Sequence, residues 1–340
     1  WIDLLFIIAP PFFCLAFIAL FPNLFLDVKE MPIYWWVILV LLIDVAHVYS
    51  TLFRTYFSKA SWRRYKVPMT LTPLIAFLFS VLLCSISMAL FWTVLAYIAV
   101  FHFIRQQYGI MKLYSRNEIS LAPWCKWIDV LVIYAATLYP ILYWHLSSAR
   151  NFNWFVEGDF LVADLPLARH VFTALYFMVL VVFLIKEIYL IFKWETINLL
   201  RSLVIVGTIL SWYFGIVYFN GDMAFTMLNV VSHGVPYMAL IWIFSVKENQ
   251  VEAQKSSFWK LMLSPLGIVI FLLIIFLFAF IEEGFWDVWV WNENSSLFAA
   301  FTHFESDSIN NKWLRFLVPL LAVPQLTHYL IDGFIWRKSK

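Results

Sequence analysis

Residues 90–111 read Leu90-Phe-Trp-Thr-Val-Leu-Ala-Tyr-Ile-Ala-Val-Phe-His102-Phe-Ile-Arg105-Gln106-Gln107-Tyr108-Gly-Ile-Met111. At about 1.5 Å per residue, this run is long enough to cross the hydrocarbon core of a bilayer, roughly 30 Å thick, as a helix. His102 and Arg105 interrupt it, although ionisable groups are costly in hydrocarbon and usually face the interior of a helical bundle. The run therefore predicts a transmembrane helix that carries a functional side chain.

The whole chain has a similar composition. It has 340 residues, of which 64% are hydrophobic and 13% charged, whereas soluble domains are about half apolar and a quarter charged. Hydropathy and helix-breaking residues predict about ten transmembrane helices, near 4–21, 33–53, 68–86, 90–111, 127–146, 168–192, 200–219, 223–245, 261–281 and 313–336. We therefore predict an all-α polytopic integral membrane bundle that forms a single transmembrane domain over residues 1–340.

The basic residues indicate how this bundle is oriented. They gather on one predicted side, at Arg54, Lys59, Arg63, Arg64, Lys66, Lys112, Arg116, Lys126, Arg337, Lys338 and Lys340. Segment 282–311 lies on the other side and carries Glu282, Glu283, Asp287, Glu293, Glu305 and Asp307, with no lysine or arginine. Because cytoplasmic loops carry the excess of basic residues, we predict that the basic side and both chain ends are cytoplasmic.

Two of the predicted outer connections are rich in aromatic residues. They lie near 147–166 and 282–311, and acidic residues are interspersed with their tryptophans and phenylalanines. We predict that both are structured. They fit either an aromatic belt at the lipid headgroups with solvated acids, or an external lid over an opening that lipids can enter.

Four histidines lie at a similar predicted depth. His47 precedes the basic residue at the cytoplasmic end of its span by 7 residues, His328 by 9, His102 by 10 and His233 by 14. These depths fall within about 10 Å along the membrane normal. The other three histidines, His145, His170 and His303, are predicted at the outer surface. One layer of four imidazoles is what a metal site requires, and we predict that the four meet there.

The neighbours of these histidines extend the predicted site. Asp44 lies three residues before His47 and Asp332 four after His328, so each pair shares a helix face. Each carboxylate is a candidate metal ligand, or an acceptor that orients its histidine. Near His102, we expect Arg105, Gln106 and Tyr108 to line the site and to position substrate or oxygen. Alternatively, Arg105 extends to the cytoplasmic interface.

Prolines beside two of the histidines predict bends in their helices. Pro236 follows His233 by three residues and Pro324 precedes His328 by four. Proline removes a helical hydrogen bond, which usually kinks the helix at that point.

Imidazole and carboxylate ligands favour iron first and zinc second. The sequence lacks a nucleophile elbow, a phosphate-binding glycine loop, a dinucleotide fingerprint and a basic–aromatic platform for nucleic acid. We therefore predict a metal-dependent oxidoreductase or oxygenase whose partners are the lipid bilayer and a lipophilic substrate. Two alternatives remain open: a proton- or ion-coupled transporter or channel that uses the same Asp and His residues as a relay, or a non-catalytic subunit of a membrane complex. Neither a redox partner nor an oligomeric state is defined by the sequence.

Four segments carry a resemblance to known proteins. They are His47-Val-Tyr-Ser-Thr-Leu-Phe-Arg-Thr-Tyr56, Phe101-His-Phe-Ile-Arg-Gln-Gln-Tyr-Gly109, Ser232-His-Gly-Val-Pro-Tyr237 and Thr327-His-Tyr-Leu-Ile-Asp-Gly-Phe-Ile-Trp336. Over nearly the whole chain, they resemble an uncharacterised bacterial multi-pass family. In plan, the chain is more remotely similar to the Brp/Blh-type β-carotene 15,15'-dioxygenases.

The resemblance implies a bacterial inner membrane location and iron bound by single histidines on separate helices. These would be His47, His102, His233 and His328. It also implies a carotenoid as a possible substrate. The chain departs from the dioxygenase pattern in its larger number of spans and in the added residues Asp44, Arg105 and Asp332.

Overall fold

The structure is a computed structural model that describes residues 1–25, 31–118, 121–194, 198–254, 256–304 and 311–336. Within these ranges every regular element is a helix and no strand occurs. The predicted all-α class is therefore confirmed. The basic tail residues Arg337, Lys338 and Lys340, and the acidic residues Glu305 and Asp307, lie outside the described residues.

Eight helices of the described chain are long and apolar enough to cross a membrane, and two shorter helices form a bent pair that would make a ninth span. A further apolar helix, α1, covers Pro10–Leu20. The others are α2 Ile33–Arg54, α3 Lys59–Ile86, α4 Met88–Ser115, α5 Pro123–His145, α6 Pro166–Lys193, α7 Leu199–Tyr218, α8 Asp222–Glu248 and α9 Gly267–Trp291, followed by the bent pair α10 Lys312–Leu321 and α11 Val323–Ile335. Their order matches the predicted spans, whereas the count of ten and the cytoplasmic chain ends stay predictions.

The helix starts follow from the local sequence. Proline occupies the first turn of α1, α5 and α11, where the missing N–H costs nothing because no helical acceptor exists there. At the start of α3, Ser58 accepts a hydrogen bond from the backbone N–H of Ser61. Asn198 does the same for Arg201 at the start of α7. Such side chains satisfy N–H groups that a helix end would otherwise leave unpaired.

The described residues separate into two compact units. The first unit comprises Trp1–Met31 and Ala96–Pro236. In it, α5 packs against α6 and α7, and α7 packs against α1. Its buried core is aromatic near segment 147–166, with ring contacts among Trp144, Phe152, Phe160 and Phe225.

The second unit comprises Pro32–Leu95 and Tyr237–Lys340. In it, α2 packs against α9 and α11, while α3 packs against α10 and α11. The pair α10 and α11 is bent by 41° at its break. The bend predicted at Pro324 is thus present, because this proline stands in the first turn of α11.

In the described parts of the two connections that we predicted to be structured outer loops, carboxylates accept hydrogen bonds from backbone N–H groups. In 147–166, the Asp159 carboxylate accepts hydrogen bonds from the backbone N–H groups of Phe155 and Val156. At the end of α9, the Asp287 carboxylate accepts from the N–H groups of Glu293 and Asn294, which follow the helix. In each case a buried carboxylate holds a turn together.

Candidate metal centre

The helices around two of the histidines are locally widened. In α2 a π-helical segment, Val37–Val45, ends two residues before His47. In α8 another, Thr226–Val230, ends three residues before His233. Segments with this wider hydrogen-bonding pattern occur frequently at functional sites, because they reorient the side chains that follow.

In the second unit, His47 and His328 lie side by side on α2 and α11. Their ring centroids are 5.0 Å apart and the rings are nearly perpendicular. His47 Nδ1 lies 3.3 Å from the Ile43 carbonyl oxygen and 3.8 Å from Asp44 Oδ1. Both neighbours are acceptors, which favours a proton on Nδ1 and leaves Nε2 as the nitrogen that could coordinate a metal.

His328 starts a series of hydrogen bonds in the same unit. Its Nδ1 lies 2.7 Å from Thr51 Oγ1, and this hydroxyl lies 2.9 Å from the Tyr237 hydroxyl oxygen. Tyr237 in turn donates to Asp332 Oδ1 over 2.5 Å. Asp332 is thus hydrogen-bonded to Tyr237, and Asp44 lies near Nδ1 of His47.

In the first unit, His102 and His233 form a similar pair on α4 and α8. Their ring centroids are also 5.0 Å apart and their rings nearly perpendicular. Phe103 stacks face to face on the His233 ring. Gln106 Nε2 donates to the His233 backbone carbonyl over 2.8 Å. The Phe103 ring thus packs against the face of the imidazole, and the Gln106 amide holds the backbone of the same histidine.

All four predicted histidines belong to one buried group that could hold a metal ion. One ring nitrogen from each of His47, His102, His233 and His328 lies within 4.8 Å of the others, and no ring is more than 4% exposed. Nitrogens bound to one ion at about 2.1 Å stand roughly 3.4 Å apart in a tetrahedron. The prediction that the four histidines meet is confirmed.

The other predicted site residues are positioned differently. Arg105 is exposed and donates to the Tyr134 hydroxyl over 2.7 Å. Tyr108 stacks on the same Tyr134. Gln106 contacts a histidine of the group through its hydrogen bond to the His233 carbonyl. The catalytic roles of Arg105, Gln106 and Tyr108 stay predictions.

Sequence reasoning did not assign a role to Thr51 or Tyr237. A signal for both was present, because Thr51 follows His47 by four residues and Tyr237 follows His233 by four. Side chains four apart share a helix face. The same spacing relates Asp332 to His328, but a hydroxyl group, unlike a carboxylate, does not by itself indicate a functional site in an apolar helix.

A second buried polar cluster lies in the first unit and was also missed. Lys186 on α6 donates to Asp129 Oδ1 over 2.6 Å and to the adjacent Glu187. Arg201 on α7 donates to Glu187 over 2.6 Å, to Glu118 over 3.1 Å and to Asp129 over 3.2 Å. Neither cation is more than 1% exposed. This ion cluster, of three acids and two bases, ties α5, α6 and α7 together.

The comparisons with known proteins do not place the chain in a family. No protein family, no curated protein and no solved structure matches it.

Proposed function

We propose that the chain is a membrane-embedded, iron-dependent oxidoreductase that acts on a lipophilic substrate. The observation that carries the proposal is the buried group of four histidines. Zinc is the second choice of metal, since imidazole ligands suit both ions. The resemblance to the Brp/Blh plan implies iron bound by single histidines on separate helices, so a carotenoid is the first substrate to test.

The donor set fits a divalent transition metal. Four neutral imidazoles supply four nitrogens and no charge, so a bound dication in this buried place needs negative charge nearby. Asp44 lies beside His47 Nδ1, and Asp332 lies at the end of the hydrogen bonds that start at His328. These two carboxylates would therefore offset the charge of a bound dication without being its ligands.

Bound iron would supply the redox chemistry, while the chain holds its ligands and excludes water. Gln106 is placed to act on a substrate, because its Oε1 is buried and has no hydrogen-bond partner among the described residues. Its Nε2 is fixed on the His233 carbonyl. The free amide oxygen can accept a hydrogen bond from a substrate hydroxyl or from water.

The test uses protein reconstituted with Fe²⁺ in lipid bilayers that contain β-carotene or another polyunsaturated lipid. We expect oxygen consumption and a new product in the wild type, and at least a tenfold lower rate in His102→Ala and His328→Ala. His170→Ala is the matched control, because His170 is exposed and lies outside the four-histidine group. Equal rates in all four proteins would refute the proposal.

A transporter is the second candidate, and two observations favour it. One is the 41° break between α10 and α11, since discontinuous helices often surround transport sites. The other is the row of hydrogen bonds from His328 to Asp332, which could pass a proton. Proton flux into liposomes that depends on His328, without stoichiometric metal, would support this candidate over the enzyme.

A further inference from the structure

The hydrogen bonds that begin at His328 have a direction that can be worked out atom by atom. Tyr237 has a single hydroxyl hydrogen, and this hydrogen is donated to Asp332 Oδ1. The hydrogen between Thr51 and Tyr237 must therefore come from Thr51. The hydrogen between His328 Nδ1 and Thr51 must then come from the imidazole.

This direction determines the tautomer of the ring. With its hydrogen on Nδ1, neutral His328 carries its lone pair on Nε2, the nitrogen that could then coordinate a metal. Without these hydrogen bonds, a neutral imidazole could carry its hydrogen on either nitrogen. Only one of these two forms can bind a metal through Nε2.

We propose that Thr51, Tyr237 and Asp332 form a relay of hydrogen bonds that sets the tautomer of His328, with Asp332 as its terminal acceptor. We name this set the His328 relay. In this arrangement Asp332 is a positioning residue that acts through two hydroxyl groups and is not a direct metal ligand. The inference rests on the proposed function for its purpose, although the tautomer itself can be observed without metal.

The surroundings of the relay support this assignment. Thr51, Tyr237 and His328 are all buried, at 4%, 1% and 2% exposure, so water does not compete for their hydrogen bonds. Tyr237 also packs edge-on against the His328 ring, with centroids 4.8 Å apart. The tyrosine therefore holds the ring in place as well as connecting Thr51 to the carboxylate.

The first experiment measures the tautomer in metal-free protein. Solid-state ¹⁵N NMR on histidine-labelled protein in bilayers distinguishes the two nitrogens, and a His328→Gln variant assigns the signal. We expect the Nδ1–H form in the wild type and a mixture of both tautomers in Tyr237→Phe and Thr51→Val. A wild-type ring protonated on Nε2, or a tautomer that Tyr237→Phe leaves unchanged, would overturn the inference.

The second experiment measures the affinity for Zn²⁺. Removing a partner that orients a ligand typically weakens metal binding about 10- to 100-fold, and we expect this in Tyr237→Phe, Thr51→Val and Asp332→Asn. Thr51→Ser keeps the hydroxyl and should bind like the wild type. So should Tyr329→Phe, which removes a buried hydroxyl bonded to Gln325 and outside the relay.

The two experiments fail in different ways. An equal loss of affinity in Tyr329→Phe would show a general packing effect and would count against the relay. A wild type that binds no metal would refute the proposed function, and the NMR result alone would then decide the tautomer. If Tyr237→Phe did not fold, the nearly isosteric Thr51→Val would give the same readout.

Discussion

Replacing Lys186 by methionine should destabilise the protein strongly, because this lysine neutralises carboxylates that cannot reach water. Its ammonium donates to Asp129 and Glu187, and its side chain is fully buried. Methionine keeps most of the volume and removes the charge together with the N–H donors. Three carboxylates would then face Arg201 alone.

The magnitude follows from burial. Breaking a buried ion pair by removing one partner costs about 3–5 kcal/mol, because it leaves an uncompensated charge. The two carboxylates share one ammonium, so we expect one such loss and not two. An exposed pair is worth about 1 kcal/mol or less. The matched control is Lys59→Met, whose lysine is 73% exposed and lies 3.6 Å from Glu252.

Unfolding of purified protein in mixed micelles, followed by circular dichroism, measures both free energies. A second change, Asp129→Asn, should recover roughly half of the loss or more when combined with Lys186→Met, since it removes one of the charges left behind. Equal stability of Lys186→Met and Lys59→Met would refute the reasoning. So would a double variant that is no more stable than Lys186→Met.

Two further predictions concern the first unit. Burial raises the pKa of the Glu118 carboxyl, although the Arg201 charge opposes this shift. Because its pKa is higher in the folded state, stability should fall as pH rises above its ordinary value of 4.5, and the fall measured by thermal unfolding should be smaller in Glu118→Gln. A substitution at Gly207 should separate α1 from α7, because an added Cβ would lie 2.8 Å from Pro11 Cγ. We expect Gly207→Ala to cost about 1–3 kcal/mol in the same assay, whereas Gly109→Ala, with no neighbour within 4 Å of its added Cβ, should cost nothing; equal effects of the two would contradict the close packing.

The helices could be predicted from the sequence because each spanning segment is a continuous apolar run. The predicted span 200–219 corresponds to α7, Leu199–Tyr218, and 33–53 corresponds to α2, Ile33–Arg54. The helix ends were predicted less accurately where a charged or amphipathic turn extends the helix beyond the apolar run. An example is α3, which begins at Lys59 and not at residue 68.

The site could be predicted in part. Depth along the helices was enough to bring His47, His102, His233 and His328 together, since depth depends only on residue counts from the basic boundary. Which histidine lies beside which depends on helix rotation and neighbours, and no residue count contains these. Residue counts likewise do not show that Asp332 accepts a hydrogen bond from Tyr237, which lies 95 positions away in the sequence.

The contacts within the ion cluster could not be predicted from the sequence either. Lys186, Asp129 and Arg201 lie on three different helices, and each alone resembles a charge near the end of a span. Their contacts appear only when α5, α6 and α7 are packed together. The high cost of an unpaired charge in an apolar span indicates that Lys186 has a partner, but not which residue it is.

The proposed function requires that the four histidines bind metal. Mass spectrometry of metal content, on protein purified under reducing conditions without chelators, measures this in the wild type, His102→Ala and His233→Ala. We predict about one iron or zinc ion per wild-type chain and its loss in both variants. No metal in the wild type, or the same metal content in all three proteins, would contradict metal binding by the four histidines.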